Sequence, residues 1–190
     1  IGYLAQSPDG NATFDLRLYH EDLRNPIVLV NTLSPPSTLL PGTLSSANGP
    51  SGAILRGIEY QLKLRIRPAT ELLVNQSVLN IHSPSDPAQE RSAAHNMSGV
   101  TWMQRYPGAW SSAVTMRHVG AYQWGGGSKP VAAHHSVDLR LAHQFRWEGR
   151  QVEVALVMLN LGPRYEEFLL NTNTGFNAVS RYAYLTGRLA

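Results

Sequence analysis

Hydrophobic and polar residues alternate along several segments of this chain, most plainly between Ala53 and Ile66. From Ile58 the even positions are Ile58, Tyr60, Leu62, Leu64 and Ile66, and the odd ones are Glu59, Gln61, Lys63 and Arg65. Successive side chains of a strand point to opposite faces, so one face here is apolar and the other charged. A helix needs apolar residues three and four apart, and would set Lys63 and Glu59 beside Leu62. The pattern predicts a strand. A soluble half-buried strand and a membrane-barrel strand alternate alike. Length separates them: about thirteen residues exceed the usual five or six and clear the nine to eleven of a tilted spanning strand.

The same alternation predicts strands over 1–5, 13–30, 72–81, 97–106, 111–124, 137–145, 151–161 and 178–190. In 13–30 the pattern breaks near Glu21-Asp22, as at a bulge or on leaving a membrane, and resumes at Ile27. Between the strands, short connections alternate with long ones. The short ones fall at 7–11, 67–71, 107–110 and 148–150; the long ones fall at 31–52, 82–96, 125–134 and 162–177. Outer-membrane barrels have short periplasmic turns and longer extracellular loops, so they require this asymmetry. A soluble sandwich has no reason to keep it. Tyr106, Trp110 and Trp147 flank short turns, whereas Tyr122 and Trp124 precede a long loop, as two interfacial girdles would.

Composition agrees by what it leaves out. At 190 residues, with 43% hydrophobic residues, the chain suffices for one domain. No run approaches the roughly eighteen apolar residues of a membrane helix, a test that barrels escape because every second residue is polar. The absence of cysteine excludes a disulfide framework, thiolate catalysis and cysteine-ligated metals. A net charge of +3 without a basic run gives nucleic acid no footprint. The opening IGYLAQ reads as mid-strand with no initiator Met, so a piece of a longer protein is expected. About nine strands is an odd number, whereas single-chain bacterial barrels close with an even one. The expected fold is all-β: an antiparallel transmembrane β-barrel whose remaining strands lie outside this sequence.

Three segments carry a resemblance. The first is VEVALVMLNLGPRYEEF followed by NAVSRYAYLTGRLA, with Asn160-Leu161, Arg164-Tyr165 and an alternating end from Tyr184 to Ala190. The second is VDLRLAHQFRWEGRQVEVAL, and the third FDLRLYHEDLRNPIV followed by LRGIEYQLKLR. Together they resemble the C-terminal barrel portion of TonB-dependent outer-membrane receptors, over nearly the whole chain. One departure is the last residue: that family usually finishes on Phe, and this sequence stops at Ala190. The resemblance implies a barrel of about 22 strands, of which residues 1–190 supply roughly nine. It also implies a plug domain outside this sequence, the TonB complex as partner through that region, and bacterial outer-membrane lipid as surroundings.

Little in the sequence points to catalysis, and no catalytic residue and no metal ligand set is assigned. The pair His134-His135 falls in an expected loop without a third ligand at a recognisable spacing. His118 and His143 stand singly on strands, Gly125-Gly126-Gly127 lacks the context of a phosphate loop, and Glu166-Glu167 would face opposite ways on a strand. For a ligand-binding mouth, Tyr122, Trp124, His134, His135, Arg164 and Tyr165 are the candidates, because charge and aromatic surface near the long loops suit an anionic ferric chelate. Anchoring at the membrane interface is the plainer role for the aromatics. The resemblance implies energy-coupled uptake of a scarce ligand, a ferric siderophore. Two other classes remain open at this point: a self-contained small outer-membrane barrel acting as an adhesin or structural protein, and a soluble β-sandwich binding module.

Overall fold

A computed structural model describes residues 1–24, 27–31, 44–48, 52–84, 86–123, 130–168 and 176–189, with the backbone alone at 27–31, 44–48, 167–168, 176–177 and 189. In chain order the strands are β1 (Gly2–Gln6), β2 (Ala12–Leu23), β3 (Ile27–Asn31), β4 (Leu44–Asn48), β5 (Ala53–Arg67), β6 (Thr70–His82) and β7 (Asn96–Tyr106). They continue as β8 (Trp110–Val119), β9 (His134–Trp147), β10 (Arg150–Leu159), β11 (Tyr165–Phe168), β12 (Phe176–Val179) and β13 (Tyr182–Leu189). One helical turn, α1 (Pro87–Glu90), lies between β6 and β7.

Nine strands form one antiparallel sheet in the order β1-β2-β5-β6-β7-β8-β9-β10-β13. The sheet is a meander. β3–β4 and β11–β12 are separate two-stranded ribbons inserted in two of the long connections. The sheet is open, with β1 and β13 at its edges.

Short connections are tight for local reasons. Trp147 pairs with Arg150 across Glu148-Gly149, whose φ angles of 50° and 77° are those of a type I′ turn matching the strand twist. Tyr106 pairs with Trp110 across Pro107, Gly108 and Ala109, with Gly108 at φ 75°. In the first turn the Asp9 carboxylate accepts hydrogen bonds from Ser7 Oγ (2.5 Å), the Asn11 backbone N–H (3.1 Å) and Asn11 Nδ2 (2.7 Å). The Ser7 hydroxyl, then the two Asn11 donors, hold its pKa down to about 2.

Register gives the sheet two distinct faces. Across the strands, Ala5, Phe14, Leu62, Val74, Val100, Met116 and Val137 lie side by side. The row one residue away carries Asp15, Gln61, Asn75, Gly99, Arg117 and Ser136 on the opposite face. No second layer covers the apolar face among the described residues, and Val100 and Met116 remain 41% and 56% exposed. The largest fully buried side chains, Val131 and Ser83, lie in the long connections instead. A sandwich would bury such a face against a facing sheet. A barrel wall turns it to lipid.

Three boundaries differ from the pattern-based reading. The segment 13–30 is two elements: β2 pairs with β5 as far as Leu23, and Ile27–Asn31 pairs with β4 instead. The break near Glu21-Asp22 is thus the approach to the strand's exit, not a bulge. β8 stops at Val119; Gly120 still donates its N–H to Asn96 O (2.8 Å) in the same register, and Tyr122 then bridges to Val131 instead. Residues 178–190 also divide: Phe176–Val179 belongs to the β11–β12 ribbon and Tyr182–Leu189 to the sheet.

Candidate functional site: outer mouth and inner wall

All four long connections leave the sheet at one end, where α1 and the β3–β4 and β11–β12 ribbons also lie. Asp86 caps α1 by accepting from the Ala88 N–H (3.0 Å), and Pro87 occupies the first turn. Glu90 reaches back to accept from the Ser83 N–H (3.0 Å) and sits 3.0 Å from His82 Nδ1. The Ser83 bond, followed by the His82 contact, lowers the Glu90 pKa. The next connection joins this one through the Gln123 N–H to Arg91 O (2.7 Å), and Tyr122 bridges to the buried Val131.

Asn160 organises the last connection. At φ 54° it ends β10 in the left-handed region that Asn tolerates. Its N–H donates to Asp138 Oδ1 (2.9 Å), and its Nδ2 donates to Val179 O (2.9 Å) in the β11–β12 ribbon. The Asn160-Leu161 pair thus does local work: it terminates a strand and ties the ribbon to the wall.

Four of the six candidates meet at one cavity of about 410 Å³, lined by 130 and 132–135 on one side and 163–166 on the other. The His134 ring lies flat on that of Tyr165, with centroids 4.1 Å apart and an interplanar angle of 8°. Arg164 is exposed beside them. His135 lines the same cavity, although its side chain belongs to the opposite strand face. The expected loop pair is corrected here: both histidines belong to β9, and strand alternation separates their rings. Tyr122 lies beyond the end of β8, half-buried in its bridge to Val131, and does not line this cavity. Trp124, the other residue of the expected outer girdle, lies outside the described residues. Tyr106 and Trp110 are cross-strand partners, and Trp147 shares their face at the short-turn end, which is the placement an inner girdle requires.

The polar face carries a network the sequence did not disclose. Arg117 pairs with Asp138, Arg140 with Glu153, and Gln144 Nε2 donates to Glu153 (3.0 Å). Glu71 lies 3.2 Å from Lys63, 3.8 Å from Arg65 and 3.9 Å from Arg105. Each pair spans neighbouring strands, so only the register reveals it. Such half-exposed pairs suit a wet interior and would be costly in lipid. Among the described residues no group of three or more metal-ligating side chains comes together, and no helix is long and apolar enough to cross a membrane.

No protein-family model and no curated protein sequence matches the chain. Solved structures do. One is the ferric-catecholate import receptor Fiu of E. coli K12 in a closed form, at TM-score 0.70 and 15% identity over 98% of this chain and 26% of that one. Another is the FpvAI–pyocin S2 complex, at TM-score 0.70 and 12% identity, again over 98% of this chain and 26% of that one. The chain spans about a quarter of the length of these structures. Its nine-stranded sheet therefore has the fold of a section of receptor barrel wall, with one face apolar and the other polar.

Proposed function

We propose that residues 1–190 form part of the barrel wall and outer mouth of a TonB-dependent outer-membrane receptor, and that its cargo is a ferric siderophore. One observation carries the reading: a two-faced nine-stranded wall, with every long connection at one end, superimposes over 98% of its length on a ferric-catecholate import receptor. The apolar face meets outer-membrane lipid, and the ionic face lines the lumen. In this reading the plug domain of the same protein fills that lumen and meets the TonB complex.

The mouth cavity supplies the recognition chemistry. A ferric chelate is commonly anionic and flat-edged, so a guanidinium and an aromatic surface suit it through charge and stacking. Arg164 provides the first, and the stacked His134 and Tyr165 rings provide the second. The wall performs no bond-making step in this reading. It holds a site open to the outside and hands the cargo to the plug.

Uptake of radiolabelled iron, presented on catecholate, hydroxamate and mixed chelators, tests the proposal in cells with and without the gene. The reading expects gene-dependent uptake of at least one chelate, abolished by collapsing the proton-motive force. Identical uptake across the whole panel contradicts the siderophore assignment.

A further inference from the structure

The chain has seven histidines, and two of them meet in a way the mouth and the wall do not use. His118 on β8 and His135 on β9 are direct cross-strand partners, with ring centroids 4.5 Å apart and tilted by 33°. Both lie on the outward face, near the outer ends of their strands. His118 Nδ1 is buried and has no hydrogen-bond partner. Other histidines are differently engaged. His20 Nδ1 accepts from Arg56 Nε (3.2 Å), and His82 Nδ1 lies 3.0 Å from Glu90. His95 Nδ1 is 2.8 Å from Leu79 O and His134 Nδ1 is 3.2 Å from Ala132 O. His143 is sandwiched between Trp110 (4.5 Å) and Phe145 (5.8 Å).

A buried ring nitrogen without a donor or acceptor is an unfavourable state, and a cation is one way to satisfy it. We infer that His118 and His135 form a two-imidazole site for a borderline divalent cation, Cu²⁺ or Zn²⁺, clipping β8 to β9 at the foot of the connection 120–133. Each ligand nitrogen sits about 2.0–2.1 Å from such a metal, so two nitrogens on one ion lie within about 4 Å of each other. Ring centroids 4.5 Å apart are on the scale of that requirement. Ser98, the partner of His118 on its other side, places a hydroxyl in the same row. Water fills the remaining positions, since His135 is exposed.

The site has a defined rank order. Two imidazoles with water select Cu²⁺ over Zn²⁺ and exclude Mg²⁺ and Ca²⁺, which prefer oxygen ligands. Binding also needs both rings neutral, so it weakens in acid. The bridge closes the loop between Val119 and His134, and a ligand that binds only the folded wall raises its stability.

The experiment is Cu²⁺ titration of the intact protein in detergent micelles, followed by electron paramagnetic resonance. The expected result is one tight equivalent whose spectrum shows two imidazole nitrogens, lost by at least tenfold in affinity in His118→Gln and in His135→Gln alike. His143→Gln should bind as the parent does, and Zn²⁺ should compete. Wild-type protein with no equivalent tighter than millimolar, or a spectrum with one nitrogen, overturns the inference. So does an equivalent that both single variants retain. The wild-type spectrum decides the matter even if a variant fails to fold.

Discussion

The ring of Tyr19 lies directly over Gly57, its cross-strand partner on the polar face of the wall. A Cβ built on Gly57 would come within 2.2 Å of the Tyr19 Cζ and Oη atoms. The aromatic ring fills the space that a side chain would take, which is why a residue of low strand preference sits inside β5. Gly57→Ala should therefore force the ring aside and cost about 1–3 kcal/mol, as overpacking does. Denaturant unfolding from lipid vesicles measures it. Adding Tyr19→Ala should recover most of the loss, and a double variant no better than Gly57→Ala would refute the contact.

A charge on the outward face should be expensive. Leu62 and Leu139 lie in the apolar rows, and an Arg at the bilayer midplane costs about 2–4 kcal/mol. Gln61→Arg, one residue away and on the polar face, should change folding little. Equal folding of Leu139→Arg and parent into vesicles would contradict the register.

At the mouth, Arg164→Ala and Tyr165→Ala should each weaken cargo binding by about tenfold (about 1.4 kcal/mol), the scale of one lost charge-assisted contact for the first and of one lost stacking contact for the second. Barrel unfolding should be unchanged in Arg164→Ala and little changed in Tyr165→Ala, whose ring packs on His134 at the first position of β9. Affinity is read by fluorescence titration with the chelate found in the uptake assay. Unaltered affinity in both variants would remove this cavity from recognition.

The connection closed by Glu90 should open in acid. Folding lowers the Glu90 pKa, so its contribution is present in full above the ordinary carboxylate value of 4.5 and is lost as pH falls through the lowered value. Hydrogen-exchange protection of residues 83–95 should drop from about pH 7 to about pH 3, and Glu90→Gln should show the low value at both. Protection that ignores pH and substitution would show that the carboxylate does not hold the loop.

Much of the wall was legible in the sequence, because a period of two is local. Ile58 to Ile66 display it without help from any neighbour. The tight turn at 148–150 was legible from Gly149, although Glu148 at φ 50° is not a residue that a type I′ turn favours. What escaped was set by partners far along the chain. Alternation cannot say that Val179 leaves the sheet for the ribbon, because its partners there, Tyr165 and Asn160, lie far back along the chain. Likewise Arg117 and Asp138 become a pair only through the β8–β9 register. At the mouth, Arg164, Tyr165 and His134 were recognisable by type, but their meeting depends on the fold of a long connection. His118 and His135 looked like a lone residue and half of a loop pair. Strand register makes them partners.

The central claim, that one face of this sheet meets lipid and the other water, can be tested residue by residue. The chain has no cysteine, so single cysteines at positions 58 to 66 can each carry a nitroxide in the protein reconstituted in bilayers. Accessibility to oxygen, which concentrates in lipid, and to a water-soluble nickel chelate is then measured at each site. The account predicts opposite oscillations of period two: oxygen maxima at Ile58, Tyr60, Leu62, Leu64 and Ile66, and nickel maxima at Glu59, Gln61, Lys63 and Arg65. Oscillations in phase with one another, or even positions shielded from both reagents as in a protein core, would contradict it.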